Sequence, residues 1–171
     1  MSARELAGER IRAMKAEDLA RVLAWRNHPN VRDFMLSQRD IDAEEHRQWF
    51  EQCVQTGSKQ LLIFEAGGEA MGFVSFSAPD PGRITEWGFY ARPDAPKGTG
   101  QRLGSTAIRH AFDELDVHKI CGRTLGNNQR SIRCHQRLGF RQEGVLRDQH
   151  FGAGRYYDIV CFGLLRAEWQ S

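Results

Sequence analysis

The sequence predicts one α/β domain of the α+β type, with a mixed, mostly antiparallel sheet flanked by helices. Three observations predict it. Residues 59–91 hold three strand-like runs split by turn residues, Gly67-Gly68 and Pro79-Asp-Pro-Gly82. Lys97 to Leu115 carries Leu103, Ala107, Ile108, Ala111, Phe112 and Leu115 as one apolar stripe at helical spacing. Gln142 to Arg147 and Tyr156 to Leu165 close the chain as an antiparallel pair.

The elements follow in chain order. Leu19, Val22, Leu23 and Arg26 recur at helical spacing from Glu17 to Asn27. His28 to Asp40 reads as a loop. Asp42-Ala-Glu-Glu45 has the spacing of a capping box and opens a helix through Trp49, Phe50 and Cys53. Lys59 to Glu65 and Ala70 to Ser77 form a hairpin about Gly67-Gly68. Ile84 to Ala91 is the third strand, which Pro93 ends. Lys119 to Leu125 is a strand after the long helix. Ser131 to Leu138 is a short helix, with Gly139 as its natural stop.

The 171 residues suit a single domain, 1–171, with a core of its own. The formal net charge of +2 lacks the basic excess of a nucleic-acid binder. Charges interrupt the first ten residues before an apolar segment forms, so no signal peptide is expected. The apolar runs are too short to span a bilayer, and a cytoplasmic location is expected. Cys53, Cys121, Cys134 and Cys161 are widely spaced and read as free thiols; neither they nor the histidines have metal-ligand spacing, so no metal is expected. Cys134 beside His135 is not read as a nucleophile pair, because helix neighbours point in different directions.

The most informative stretch is Lys97-Gly-Thr-Gly-Gln-Arg-Leu-Gly104, which follows a strand and opens the long helix. Glycines let backbone approach a ligand, and a helix N-terminus offers unpaired N–H groups to an anion such as a pyrophosphate. The phosphate-loop pattern Gly-x-x-x-x-Gly-Lys-Ser/Thr is absent, and Gly98-x-Gly100-x-x-x-Gly104 misses the dinucleotide fingerprint by one residue. By itself the loop also fits a structural turn with a glycine cap.

Downstream stands Asn128-Gln-Arg-Ser131-Ile-Arg-Cys-His135-Gln-Arg-Leu-Gly139-Phe140. With the glycine loop before it, the chain resembles the GNAT acetyltransferase superfamily. The resemblance implies a splayed central sheet that admits acetyl-CoA. It places the pyrophosphate on the amides of Lys97, Gly98, Thr99, Gly100, Gln101 and Arg102, and the pantetheine arm on the strand at Phe89, Tyr90 and Ala91. Asn128 and Ser131 are expected at the cofactor, and are equally good helix caps. The family's usual loop Arg/Gln falls at Ala95 and its usual tyrosine at His135. His135 is therefore the expected acid for the departing thiolate. Glu86, charged among aromatics in a strand, is the expected base; its bland alternative is a solvent-facing residue paired with Arg83.

The N-terminal half narrows the resemblance. Trp25-Arg-Asn-His-Pro29, Val31, Phe34-Met35, Glu44-Glu-His46 and Trp49-Phe50 look like the N-acetyltransferase of pseudaminic acid biosynthesis. That subfamily acetylates the 4-amino group of a UDP-linked amino-dideoxy sugar. The resemblance implies acceptor contacts by Arg26, Asn27, His28, Phe34, Met35, Trp49 and Trp87. A protein N-terminal or small-amine acetyltransferase, and a non-catalytic acyl-CoA sensor, stay open on the residues alone. A homodimer is compatible with the sequence, which does not fix the oligomeric state.

Overall fold

The computed structural model describes residues 8–170. Met1 to Ala7, part of the segment for which no signal peptide is expected, lie outside the described residues. The elements are β1 (Arg10–Ala13), α1 (Leu19–Asn27), α2 (Pro29–Arg32), α3 (Ala43–Thr56), β2 (Lys59–Ala66), β3 (Glu69–Ser77) and β4 (Ile84–Ala91), then α4 (Thr99–Asp113), β5 (Lys119–Leu125), α5 (Gln129–Arg137), β6 (Arg141–Gly152) and β7 (Arg155–Leu165). The strands form one seven-stranded sheet in the order β1-β2-β3-β4-β5-β7-β6. All neighbours are antiparallel except β4 and β5.

The β4–β5 junction positions the site. Ile84, Thr85 and Glu86 pair with Lys119, Ile120 and Cys121, and there the parallel ladder stops. From Trp87 to Ala91, β4 pairs instead with β3. Side chains bridge the change of partner: the Glu86 N–H donates to Ser77 Oγ at 2.8 Å, and the Thr85 hydroxyl donates to the Ser77 carbonyl at 2.7 Å. The sheet therefore splays beyond Glu86.

Two cores lie on the two faces of the sheet. The stripe of α4, with Leu103, Ala107, Ile108, Ala111 and Phe112, packs with Phe64, Val74, Phe76, Trp87 and Phe162. Each of the large side chains among these contributes about 1.5–3 kcal/mol on burial. The second core joins Val22 and Trp25 of α1 and Cys53 of α3 to Ile63 and Phe73. Along β4, Trp87 and Phe89 belong to the α4 side and Tyr90 to the α1–α3 side, as strand alternation requires.

Several sequence readings change. The chain has a first strand, β1, paired with β2, that the sequence reading lacks. The expected loop from His28 contains α2, whose N1 residue is Pro29. Asp42 caps α3 by accepting from the Glu45 N–H, but Glu45 pairs with Arg39 rather than closing a capping box. The closing strands are longer than expected, because β6 carries register shifts that break its alternation.

Candidate active site

The splay opens into a cavity of about 1110 Å³ that reaches from the α1–α3 side to the starts of α4 and α5. Its floor is β4 from Glu86 to Ala91, with Ser75 and Ser77 of β3.

At one end, Gly100, Asn128, Ser131 and Cys134 line the wall. Gly98 caps α4 with φ 92°, a left-handed conformation that suits glycine. A Cβ added at Gly98 or Gly100 would meet nothing within 4 Å, so the space over this backbone is open. Of the expected cradle, Thr99 and Arg102 drop out. The Thr99 N–H and hydroxyl both donate to the Pro96 carbonyl, and the Arg102 N–H donates to the Gly98 carbonyl. The Arg102 guanidinium is paired with Glu9. Among the described residues, the amides of Lys97, Gly98, Gly100 and Gln101 find no acceptor. These fit a pyrophosphate at a helix N-terminus. Asn128 caps α5 through the Ser131 N–H at 3.1 Å.

At the other end, Arg26, Phe34, Met35, Glu45, His46, Trp49, Lys59, Tyr90 and Arg123 surround the opening. Arg26 is 5% exposed. Its guanidinium donates to the carbonyls of Ser37 and Arg39, and no carboxylate of the described residues pairs with it. Burial pulls its pKa down. His46 stacks on Trp49 with centroids 5.2 Å apart, and burial with the nearby Arg26 charge holds the imidazole neutral more strongly than usual. Tyr90 is held protonated by burial. Glu86 sits at the mouth of the splay with its side chain 51% exposed, 3.9 Å from Arg123. The expected partner Arg83 is paired with Asp116 instead.

Four expected site residues are placed differently. His135 is 3% exposed and does not line the cavity. Its Nε2 accepts from the Trp87 indole N–H at 3.2 Å, and its Nδ1 donates to the Ser131 carbonyl at 2.8 Å. Its ring stacks on Phe162, with centroids 4.8 Å apart, and burial lowers its pKa. A Cβ at Gly122 would come 2.6 Å from His135 Nε2, so β5 carries glycine there. Both nitrogens of this imidazole are engaged within the fold, and the ring itself does not reach the cavity. Trp87 borders the cavity, but its indole is spent on His135 in the core. Asn27 pairs both ends of its amide with the Ile41 backbone, at 2.8 and 2.9 Å, and so clamps the acceptor-side loop. His28 caps α2 by accepting from the Asn30 N–H. Phe34, Met35 and Trp49 do line the cavity.

Ser75, Ser77, Lys59, Arg123, Cys134 and His150 are lining residues that sequence reasoning missed. Ser75 and Ser77 had a signal: polar residues alternating within an apolar strand. His150 had none, because the irregular register of β6 brings it in.

Residues 10–141 match the model of the acetyltransferase (GNAT) domain family. The chain belongs to the GNAT acetyltransferases. It is thus an acetyl-CoA-dependent N-acetyltransferase, and the open, amide-lined start of α4 is a fitting place for that cofactor. It is 28% identical to acetyltransferase PseH of Campylobacter jejuni over 127 residues, 74% of this chain and 79% of that one. It is 30% identical to the N-acetyltransferase YokL of Bacillus subtilis over 131 residues, 75% of this chain and 73% of that one. The solved GNAT structure of spermidine N-acetyltransferase from Vibrio cholerae, in complex with CoA and spermine, superposes with a TM-score of 0.87 at 21% identity, covering 94% of this chain and 96% of that one. The PseH match supports the resemblance to the acetyltransferase of the pseudaminic acid pathway. No helix among the described residues is long and apolar enough to cross a membrane.

Proposed function

We propose that this GNAT enzyme acetylates the 4-amino group of a UDP-linked amino-dideoxy sugar. The observation that carries this reading is the charge of the acceptor end. Arg26 and Lys59 line it without a carboxylate partner, while its acidic residues, Glu45 and Glu86, each face an arginine, Arg39 and Arg123. A cavity with spare positive charge suits a diphosphate and repels a polyamine. Phe34, Met35 and Trp49 offer an apolar wall to a deoxy-sugar methyl group or to uracil. The likeness to PseH points the same way. The structural likeness to the spermidine enzyme supports the fold.

Acetyl-CoA supplies the activated acyl group. The free amides at Lys97, Gly98, Gly100 and Gln101 hold its pyrophosphate, and the unpaired edge of β4 from Trp87 to Ala91 receives its arm. Glu86 accepts the proton of the acceptor amine through water. His135 remains in the core, and Ser131 and Cys134 are the protic side chains at the cofactor end. Burial raises the Cys134 pKa, so it stays a thiol. Thiol release should therefore follow addition of the UDP-amino sugar and not of spermidine or an N-terminal peptide. Glu86→Gln should lower kcat about 100-fold with little change in either KM. Full turnover of spermidine with none of the UDP sugar would replace this reading with the small-amine one.

A further inference from the structure

We propose that one face of α5, formed by Arg130, Arg133 and Arg137, binds the 3′-phosphate on the ribose of coenzyme A. The proposal rests on the acetyl-CoA dependence of the family. The spacing i, i+3, i+7 puts these arginines on one side of the helix, with Cys134 among them. Cys134 Sγ lies 3.8 Å from Gln101 Oε1, so this side of α5 abuts the start of α4 where the free amides lie. Arg130 lines the main cavity. Arg137 lines a second hollow of about 590 Å³ together with Gln101, Ser105 and Arg109. Cys134 lines the main cavity and Gln101 the second hollow, so their contact links one wall of each.

Among the described residues, most arginines elsewhere are neutralised, whereas this face holds three that are not; Arg26, Arg109, Arg147 and Arg155 also lack a carboxylate but stand on other elements. Arg10, Arg12, Arg32, Arg39, Arg47, Arg83, Arg92, Arg102, Arg141 and Arg166 all pair with carboxylates. Among the described residues, no carboxylate pairs with Arg130, Arg133 or Arg137. The helix Gln129–Arg137 contains no acidic residue. Like charges three and four apart destabilise a helix, and a cation in its first turn opposes the helix dipole. A bound dianion relieves both costs. Coenzyme A carries such a dianion on the ribose next to its pyrophosphate, and guanidinium forks match phosphate geometry.

The test is calorimetric binding of coenzyme A and dephospho-coenzyme A, which differ only in that phosphate. Wild type should prefer coenzyme A by about 30-fold, the scale of charge-assisted bonds to one phosphate. Combining Arg130→Ala, Arg133→Ala and Arg137→Ala should cut the preference to about threefold or less, and alanine, the best helix former, keeps α5 intact. The dephospho-coenzyme A Kd should stay nearly unchanged. Arg147→Ala, on β6, should keep the wild-type preference. Equal affinities in wild type, a preference that survives the triple substitution, or equal loss of both ligands would each overturn the proposal. Binding of neither ligand to wild type would instead remove the cofactor assignment beneath it.

Discussion

Arg12 on β1 and Arg26 at the end of α1 are both withdrawn from solvent, and they meet opposite surroundings. Arg12 donates to both oxygens of Asp18, at 2.7 and 2.9 Å, and to Glu65 at 2.6 Å. Those partners push its pKa up and hold Asp18 and Glu65 below the usual carboxylate range. Arg26 has only backbone carbonyls, and burial pushes its pKa down. A buried cation without a counter-charge is costly to keep. The first arginine is complete within the fold. The second is left incomplete at the wall of a cavity, where an anionic ligand would complete it.

The two arginines should differ most in stability. Asp18→Ala removes two charge-assisted bonds from Arg12, which keeps only Glu65 as a carboxylate partner, and should cost about 2 kcal/mol in urea unfolding. Both KM values should be unchanged in the surviving folded enzyme. Arg26→Met should do the reverse. It sheds a desolvation penalty as well as two carbonyl bonds, so stability should stay within about 1 kcal/mol of wild type. The acceptor KM should rise about 30-fold, the loss of a charged hydrogen bond to phosphate, with the acetyl-CoA KM unchanged. If Arg26→Met destabilises the protein as much as Asp18→Ala does, the two arginines are alike and the contrast fails.

The smallest effect concerns the histidines. Burial lowers the pKa of His135 below its ordinary 6.5. The unfolded chain then binds the proton more readily than the fold, so stability is full above about pH 6.5 and falls as pH drops below it. His135→Phe leaves the Trp87 indole without its acceptor and should cost about 1 kcal/mol above pH 6.5, where the wild-type imidazole is neutral. It should also flatten the decline between pH 6.5 and 5, leaving the shares from His46 and His110, which burial shifts the same way. Denaturation midpoints across that range would show it. An unchanged acid-side slope would mean that His135 is protonated in the fold.

The architecture was legible where a pattern is local. The α4 stripe, the Gly67-Gly68 hairpin and the two GNAT motifs each lie within one stretch of chain. The strand β1 was not: Arg10-Ile-Arg-Ala13 is too short to show alternation, and its pairing with Ile63 and Glu65 is long-range. The site divided in the same way. Open backbone follows from glycine and helix position, so the clear space over Gly98 and Gly100 could be read. Side-chain roles depend on what packs behind them. His135 matches the family tyrosine by position, yet Gly122 and Trp87, distant in sequence, enclose it. Asn27 looked like a ligand contact because the bond it makes to Ile41 lies across a loop.

Calorimetric titration of UDP shows most directly whether the spare positive charge at Arg26 receives an anionic acceptor. Wild type should bind UDP. Arg26→Met should bind it about 30-fold more weakly while holding coenzyme A as tightly as before. If UDP binds both proteins equally, or binds neither while spermidine binds both, Arg26 is not an acceptor site and the account is wrong.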